Sequence, residues 1–307
     1  MAFFSVIIPL YNKEAYIENT LKSILAQTFT DFEIIIVNDG STDASLEKVM
    51  SFTDARIRLF TTENKGVSAA RNVAMQNASG TYFAFIDADD YWHPFHLGKL
   101  QETITTLQHL SVFTTLLEVE TSNGIYPANY SHLPHTTIQE VDFFKTSMAR
   151  TILSASSTAI HKSVLTRVGC FNEAFSNGED TEYWFRIGFL YKIGLYNRIT
   201  ARYTFVPESL SNREFDSRNF CNFEQFIEME KENPLAKKTI DINRFSLALK
   251  YKIHGDPAAF KRVTSQIDQR NLLAKQRFLL QLPASFLIRL QQFKNYLETK
   301  NIRLGAF

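Results

Sequence analysis

The stretch Phe83-Ala84-Phe85-Ile86-Asp87-Ala88-Asp89-Asp90 turns from apolar to acidic within eight residues. Its first four residues predict a buried strand, and three carboxylates follow within four positions. A strand sends alternate side chains to opposite faces, so regular geometry sets Asp87 and Asp89 on one side. That much like charge is costly inside a core. At the mouth of a sheet the same carboxylates suit a hard divalent cation, which takes oxygen ligands. The competing reading is an acidic turn in which Asp90 caps the next helix.

Upstream, Phe4 to Ile8 is a continuous apolar run ended by Pro9, the pattern of a central parallel strand. Ile17, Leu21, Ile24 and Leu25 form a helical stripe. Phe32 to Val37 predicts a second buried strand. It ends in Asn38-Asp39-Gly40-Ser41-Thr42-Asp43, a turn-rich run opening a helix with Leu46 and Val49 inward. Ile57 to Phe60 predicts a third strand, and a helix containing Ser68-Ala69-Ala70-Arg71-Asn72 follows the loop Asn64-Lys65-Gly66. Strand–helix alternation at this spacing implies a doubly wound α/β sheet. Ligands bind such sheets outside the carboxyl ends of the strands. Pro9 to Tyr11, Asp39, Lys65 to Arg71 and Asp87 to Asp89 all fall at those ends, so four separated segments converge on one crevice.

Residue types give that crevice a chemistry. A nucleotide base needs an aromatic or apolar surface and a polar group for its edge, which Tyr11 and Asp39 offer. A diphosphate needs positive charge, which Lys65, Arg71 and a metal on Asp89 offer. The plainer alternatives are packing for Tyr11, a helix cap for Asp39 and a structural ion pair for Arg71. No G-x-G-x-x-G follows the first strand, against a nicotinamide-dependent oxidoreductase. No G-x-x-x-x-G-K-[ST] occurs, against a P-loop protein.

With 307 residues the chain suits one large domain or two ordinary ones. A net charge of +1 carries no global nucleic-acid footprint. Two cysteines, Cys170 and Cys221, fit a reducing, cytoplasmic compartment better than a disulfide framework. Met1 to Ser5 lacks a basic n-region and is not read as a secretory signal. No apolar stretch is long enough to span a bilayer, and no internal repeat or low-complexity segment is visible.

Ser5-Val6-Ile7-Ile8-Pro9-Leu10-Tyr11-Asn12, Val37 to Asp43, Ser68 to Asn72 and Ile86 to Asp90 together strongly resemble the family 2 inverting glycosyltransferases. The resemblance covers roughly the first hundred residues. It implies the Rossmann-like GT-A fold, a mixed and mainly parallel sheet with flanking helices. It further implies a nucleotide-sugar donor, with UDP favoured, and a divalent metal, Mn²⁺ or Mg²⁺. Pro9, Tyr11 and Asp39 would hold the nucleoside, Lys65 and Arg71 the diphosphate, and Asp87 and Asp89 (the DXD motif) the ribose and the metal, with Asp89 the direct ligand. Farther on, Gly178 breaks the chain ahead of an amphipathic helix beginning Glu179-Asp180. In the family the second acid of such a pair is the catalytic base, which implies Asp180, with Glu179 orienting it or touching acceptor. Trp184 and Arg186 brace the helix. Glu208 to Ser211 resembles the serine-containing end of the catalytic domain. The Arg-x-His that many members carry before those serines is replaced here by Thr204-Phe205-Val206, and His132, His135 and His161 have no spacing that substitutes for it. The implied acceptor is a glycan or lipid-linked hydroxyl in surface-polysaccharide assembly. An inactive nucleotide-sugar-binding module is the alternative.

These patterns place a catalytic domain at 1–215, with a nucleotide-sugar half at 1–110 and an acceptor half at 111–215. A helical C-terminal region follows at 216–307. Its helical patterns run over Phe220–Glu232, Ile240–His254, Pro257–Leu273 and Pro283–Leu297. From Lys250 onward eleven Lys and Arg face three acids, a local charge of +8 interleaved with Leu and Phe. Two readings stand together: a helical subdomain packed on the core, and a basic amphipathic surface for an anionic membrane on its cytoplasmic side.

Overall fold

The computed structural model describes residues 2–206, 215 and 220–299, with the backbone alone for 294–299. These divide into two compact units, one holding 2–206 and 220–221, the other 215 and 222–299. The segment Glu208 to Ser211, the boundary expected at 215/216 and the tail beyond 299 fall outside the described residues or at their edge.

The first unit is built on β1 (Phe4–Leu10), buried along almost its whole length. It lies parallel to β2 (Phe32–Asp39) on one side and to β4 (Tyr82–Phe85) on the other. β3 (Ile57–Thr62) adds outside β2, also parallel. A strand buried on both faces has no polar face to alternate with, which is why β1 and β2 are near-continuous Ile and Val runs. Pro9 is tolerated in this central strand for a local reason. The Ile86 amide donates to the Ile7 carbonyl, so Ile7, and two residues on Pro9, face the β4 side. β4 has ended at Phe85, and no ladder bond is lost to the missing N–H.

Helices α1 (Ile17–Leu25), α2 (Ser45–Met50), α3 (Val67–Asn77) and α4 (His96–Thr106) link or flank these strands. Ile17, Leu21 and Ile24 of α1 share one core with Trp92, Leu97 and Leu100. The sheet then continues through β9 (Thr158–His161), β6 (Val112–Thr121), β10 (Ile193–Thr204) and β5 (Tyr91–Trp92). β7 (Gly124–Pro127) forms a hairpin with β6, and β8 (Ile138–Val141) pairs with β10. Parallel pairing holds across β3-β2-β1-β4 and between β6 and β10; every other described pair is antiparallel. The mixed sheet is therefore parallel in its first half and largely antiparallel beyond it. Short returning strands need no helical crossover. β5 and β8 also cover the outer edge of β10 on either side of its bulged segment between Tyr196 and Ala201. Short helices α5 (Phe143–Thr146) and α6 (Val164–Val168) and the longer α7 (Glu179–Leu190) complete the unit.

The second unit is helical: α8 (Ile227–Lys231), α9 (Pro234–Ile253), α10 (Pro257–Ser265), α11 (Ala274–Gln281) and α12 (Ala284–Thr299). Asn233 and Asp256 cap α9 and α10 through the amides of Ala236 and Ala259, each with Pro at the first helical position. The pattern expected over Pro257–Leu273 ends at Ser265, and α11, which none of the expected helices covers, fills the interval before Pro283. Arg244 is fully buried between Glu230 (2.7 Å) and Asp241 (3.4 Å) and also donates to the Phe223 carbonyl.

The end of the sheet opposite the strand carboxyl termini is closed by Glu33. Its carboxylate accepts from the Ser5 hydroxyl (2.7 Å), the Ser79 amide (2.6 Å) and Arg58 (2.8 Å). Gly80 fits there because a Cβ would stand 2.6 Å from Ser5 Oγ and 2.7 Å from its amide. Burial opposes ionisation of Glu33, but these hydrogen bonds outweigh it and hold its pKa at about 2. An unfolded Glu titrates near ~4.3, so the stabilisation is complete above that pH and is lost as pH falls toward about 2. In urea titrations from about pH 5 to 2, Glu33→Gln is expected to flatten the acid loss of stability by up to about 2 kcal/mol. Parallel curves for the two proteins would refute it.

Candidate active site

The crevice at the strand carboxyl ends is assembled from loops that hold one another. Asn12, in the left-handed region at φ 49°, donates from its amide to Ser41 Oγ (3.1 Å) and accepts the Thr42 amide on its side chain (2.8 Å). The Lys13 amide donates to Ser45 Oγ (2.7 Å), and the Glu14 amide to Asp43 (3.0 Å). The run Ser41-Thr42-Asp43 thus fastens the loop carrying Tyr11 rather than only opening α2. Tyr11 lies half-buried on that loop, just beyond Pro9. Asp39, at the end of β2, accepts the amides of Lys65 (2.9 Å) and Gly66 (2.8 Å). Gly66 is the N-cap residue of α3, so Asp39 anchors the start of α3 and not of α2. Lys65 meets Asp39 through its backbone, and its side chain is exposed.

The acidic turn splits its carboxylates between inside and outside. Asp87 and Asp89 stay partly accessible. Asp89 Oδ2 lies 2.5 Å from the Lys13 ammonium. Asp90 is buried, and the expectation that it caps the next helix is corrected: Asp90 Oδ1 accepts the Thr204 amide (2.8 Å), Oδ2 accepts the Ser156 hydroxyl, and Phe95 stands at the N-cap of α4. Ser156 Oγ also receives the Asp87 amide (3.2 Å), and the Ser156 carbonyl accepts Trp92 Nε1 (2.7 Å). One serine therefore clamps both ends of the turn. Burial pushes the Asp90 carboxyl well above the ordinary range, and the charges on Asp89 and Asp87 push it further. Burial also raises Asp89, against the opposing pull of Lys13.

Arg71 joins this turn to α7. Its guanidinium is buried, 2.8 Å from Asp87 Oδ1 and 3.1 Å from Glu179 Oε1, above the ring of Phe171. A cation expected for a diphosphate is thus engaged by two protein carboxylates. Neighbouring Asn72 exchanges hydrogen bonds with Phe171 in both directions (3.0 and 2.9 Å), so α3 holds the segment that leads into α7. Gly178 takes φ 75° before the helix, and a Cβ there would meet Phe220 at 3.3 Å. Burial raises Glu179 to about 7, assisted by Asp180 and resisted by Arg71. Asp180 is the more exposed of the pair. Its Oδ1 accepts the Thr181 amide (2.6 Å), and Oδ2 has no hydrogen-bond partner among the described residues. Arg186 braces α7 through Glu182 (2.7 Å) and the carbonyls of Val168 and Cys170, and Trp184 is buried.

Arg71 is thus in direct contact with Asp87 and Glu179, with Asp180 adjoining, while Asp39 and the Lys65 and Gly66 amides form a second group and Tyr11 lies on the loop after β1. Lys13 and Ser156 are structural partners of the turn that residue patterns did not assign, and Asp90, read as a helix cap, is a third. Lys13 alone left a trace, as the cation directly after Tyr11-Asn12. The oxygen donors of Asp87 and Asp89 suit a divalent cation. Among the described residues no group of three or more His, Cys, Asp or Glu is arranged to hold one. Among the described residues Asp87 and Asp89 would supply two carboxylates, the usual arrangement for a Mg²⁺-type ion completed by substrate phosphates and water.

Known proteins resemble this chain in sequence and in fold. The family model described as glycosyl transferase family 2 matches residues 5–171. A Rickettsia conorii protein described as an uncharacterized glycosyltransferase is 30% identical over 226 residues, 71% of this chain and 36% of its own length. The chain thus spans about a third of that relative. The Escherichia coli enzyme WfgD, described as a UDP-Glc:alpha-D-GlcNAc-diphosphoundecaprenol beta-1,3-glucosyltransferase, is 28% identical over 251 residues, 80% of this chain and 93% of WfgD. Among solved structures, S. aureus TarS 1-349 in complex with UDP-GlcNAc superposes with a TM-score of 0.65 at 23% identity, covering 88% of this chain and 83% of that one. The likeness to TarS is one of fold. With the family model matched over more than half its length, the chain belongs to glycosyl transferase family 2.

Proposed function

We propose that the chain is an inverting glycosyltransferase that moves a sugar from a nucleotide-sugar donor, a UDP-sugar first, to a hydroxyl of a glycan or lipid-linked acceptor. The observation that carries this reading is the Arg71 bridge. It ties Asp87 of the acidic turn to Glu179 at the start of α7 and so sets a second acid, Asp180, beside the donor carboxylates. The descriptions of WfgD and TarS support the choice of UDP, and that of WfgD a lipid-linked acceptor.

In this reading Tyr11 and Asp39 hold the base, and Asp87 and Asp89 face the ribose and diphosphate. Asp89 and Asp87 would hold a divalent cation, which would supply positive charge to the departing nucleoside diphosphate. Asp180 Oδ2 accepts the proton of the acceptor hydroxyl as its oxygen bonds the anomeric carbon. The bond to the diphosphate breaks on the opposite side, with its electron pair leaving on the phosphate oxygen. A single displacement inverts the centre. Glu179, more buried and paired with Arg71, positions the turn that carries Asp180. Arg71 acts by fixing Asp87 and Glu179.

Asp180→Asn keeps the shape and removes the proton acceptor. It is expected to slow transfer by about 10²–10⁴-fold while UDP affinity is kept; full-rate transfer would move the base to Glu179. Asp89→Ala is expected to abolish most of the gain in UDP affinity that Mn²⁺ or Mg²⁺ gives, read by calorimetry. UDP affinity indifferent to both the metals and the substitution would remove the metal from the reading.

The second unit fits a lipid-linked acceptor presented at the cytoplasmic face of a membrane. No described helix is long and apolar enough to cross one. The apolar residues of α11 and α12 divide in two. Leu279, Leu280 and Leu287 are buried, as is Leu272 just before α11, so these side chains are not available for insertion. Leu273, Phe278, Phe286 and Phe293 are exposed by half or more, beside exposed Lys275, Arg277 and Arg289. Exposed rings among cations suit an anionic lipid surface. Co-sedimentation with anionic vesicles is expected, weakening with salt, and the triple variant Phe278→Ser, Phe286→Ser, Phe293→Ser is expected to lose the salt-resistant part. Equal binding to neutral vesicles would remove the electrostatic component, and no binding to either kind would leave α11 and α12 as packing elements.

A further inference from the structure

The two accessible carboxylates of the acidic turn each have a cation, and the two cations differ in kind. Arg71 on Asp87 is fixed: its side chain is 4% accessible and a second carboxylate, Glu179, holds its other arm. Lys13 on Asp89 has one partner. Its side chain is 19% accessible, and the nearest ring, Tyr16, lies 6.0 Å from Nζ, the outer limit of a cation–π contact. The Lys13 backbone cannot follow a ligand. Its amide is bonded to Ser45 Oγ (2.7 Å), and its carbonyl accepts the amides of Tyr16 and Ile17 (both 3.0 Å). The ammonium is therefore a point charge on a four-carbon stem rooted at a fixed place, free to exchange acceptors by stem rotation alone. The root sits two residues after Tyr11, between the residue proposed for the base and the carboxylate proposed for the metal.

Resting on the donor-binding reading above, we propose that Lys13 is a movable counter-ion: it competes with a divalent cation for Asp89 and passes to the donor's diphosphate when nucleotide binds. The competition follows from charge. An ammonium 2.5 Å from Asp89 Oδ2 neutralises that oxygen and repels a second cation drawn to the same carboxylate. The transfer follows from what enters. A nucleoside diphosphate brings more negative charge than one divalent ion cancels, and Lys13 is the cation in contact with the metal-facing carboxylate, whereas the exposed Lys65 side chain makes no hydrogen bond or ion pair with the turn among the described residues. One residue thus acts against the metal before nucleotide binds and with it afterwards, so metal and donor bind best together.

The two halves move binding in opposite directions when Lys13 is neutralised. Free Mn²⁺ is measured by electron paramagnetic resonance without nucleotide, and uridine, UMP and UDP by calorimetry in EDTA. Lys13→Met is expected to bind Mn²⁺ several-fold more tightly than the native protein. Without metal it is expected to lose, by about tenfold, the preference for UDP over UMP that the native protein keeps, with uridine affinity unchanged. Lys13→Arg retains charge and is expected to retain the preference. Lys13→Gln is read beside Lys13→Met, and the variant with native uridine affinity, hence an intact base pocket, decides. Mn²⁺ affinity that is unchanged or weaker overturns the competition, and an unchanged preference for UDP overturns the transfer. A native protein that binds UDP with metal while these variants match it overturns this proposal alone. A native protein that binds no nucleoside diphosphate overturns the donor reading, and this proposal with it.

Discussion

A buried guanidinium between two acids from distant parts of the chain is the contact on which the site depends. Arg71 comes from α3, Asp87 from the end of β4 and Glu179 from the first turn of α7. Burial disfavours the charge on Arg71, and the carboxylates of Asp87 and Glu179 more than restore it. Each acid alone would carry a large desolvation cost. Together the three groups are satisfied only when the parallel half of the sheet and α7 are both in place. Asn72, one residue along α3, makes the same demand through its paired bonds with Phe171. Asp87 and Glu179 are therefore held to one another through α3 as well as by the segments that carry them.

The rest of the crevice follows a similar economy. The loop after β1 is pinned to the loop after β2 by four polar side chains, Asn12, Ser41, Thr42 and Asp43. Asp39 pins the loop before α3. Asp90 and Ser156 pin the acidic turn to the end of β10. Each is an exposed or part-buried loop whose backbone amides need acceptors, and short polar side chains from the neighbouring loop supply them. Tyr11, Asp87, Asp89 and Asp180 stay partly accessible among loops that hold one another, and preorganisation of this kind limits what a bound substrate loses to reorganisation.

Much of this architecture was legible in the residue order. β1 and β2 are apolar runs that only a doubly covered strand requires, and Gly178 before two acids marks the start of α7 by its left-handed φ. Asp256-Pro257 opens α10 where its helix was expected, whereas Asn233-Pro234 opens α9 ahead of the expected start at Ile240. What local pattern does not hold is partnership at long range. Ser156 reads as an ordinary strand-edge serine until a turn some seventy residues earlier comes to lie beside it. Asp90 reads as a cap because Asp is a good cap, and its burial is decided by Thr204, 114 positions away. The direction of strand pairing was hidden for the same reason: β4 and β9 are apolar whichever way they run. In α11 the stripe is broken by polar residues, since half of its apolar side chains face outward.

That outward half bears on how charge is used in the second unit. Basic residues from Lys250 onward are not equivalent. Lys252 donates to the Leu280 carbonyl, Arg262 pairs with Glu224 and Arg270 with Asp268, so these three are engaged within the unit. Lys275 and Arg289 have no carboxylate within salt-bridge distance among the described residues, and Arg277 spends one arm on the Gln269 carbonyl. They lie on the same two helices as the exposed phenylalanines. A folding requirement would pair or bury such groups, as Arg244 is paired with Glu230 and Asp241 a few turns away. In the membrane reading proposed above, such a face would be drawn in by attraction to anionic lipid, and the rings would hold it after salt has screened the charge.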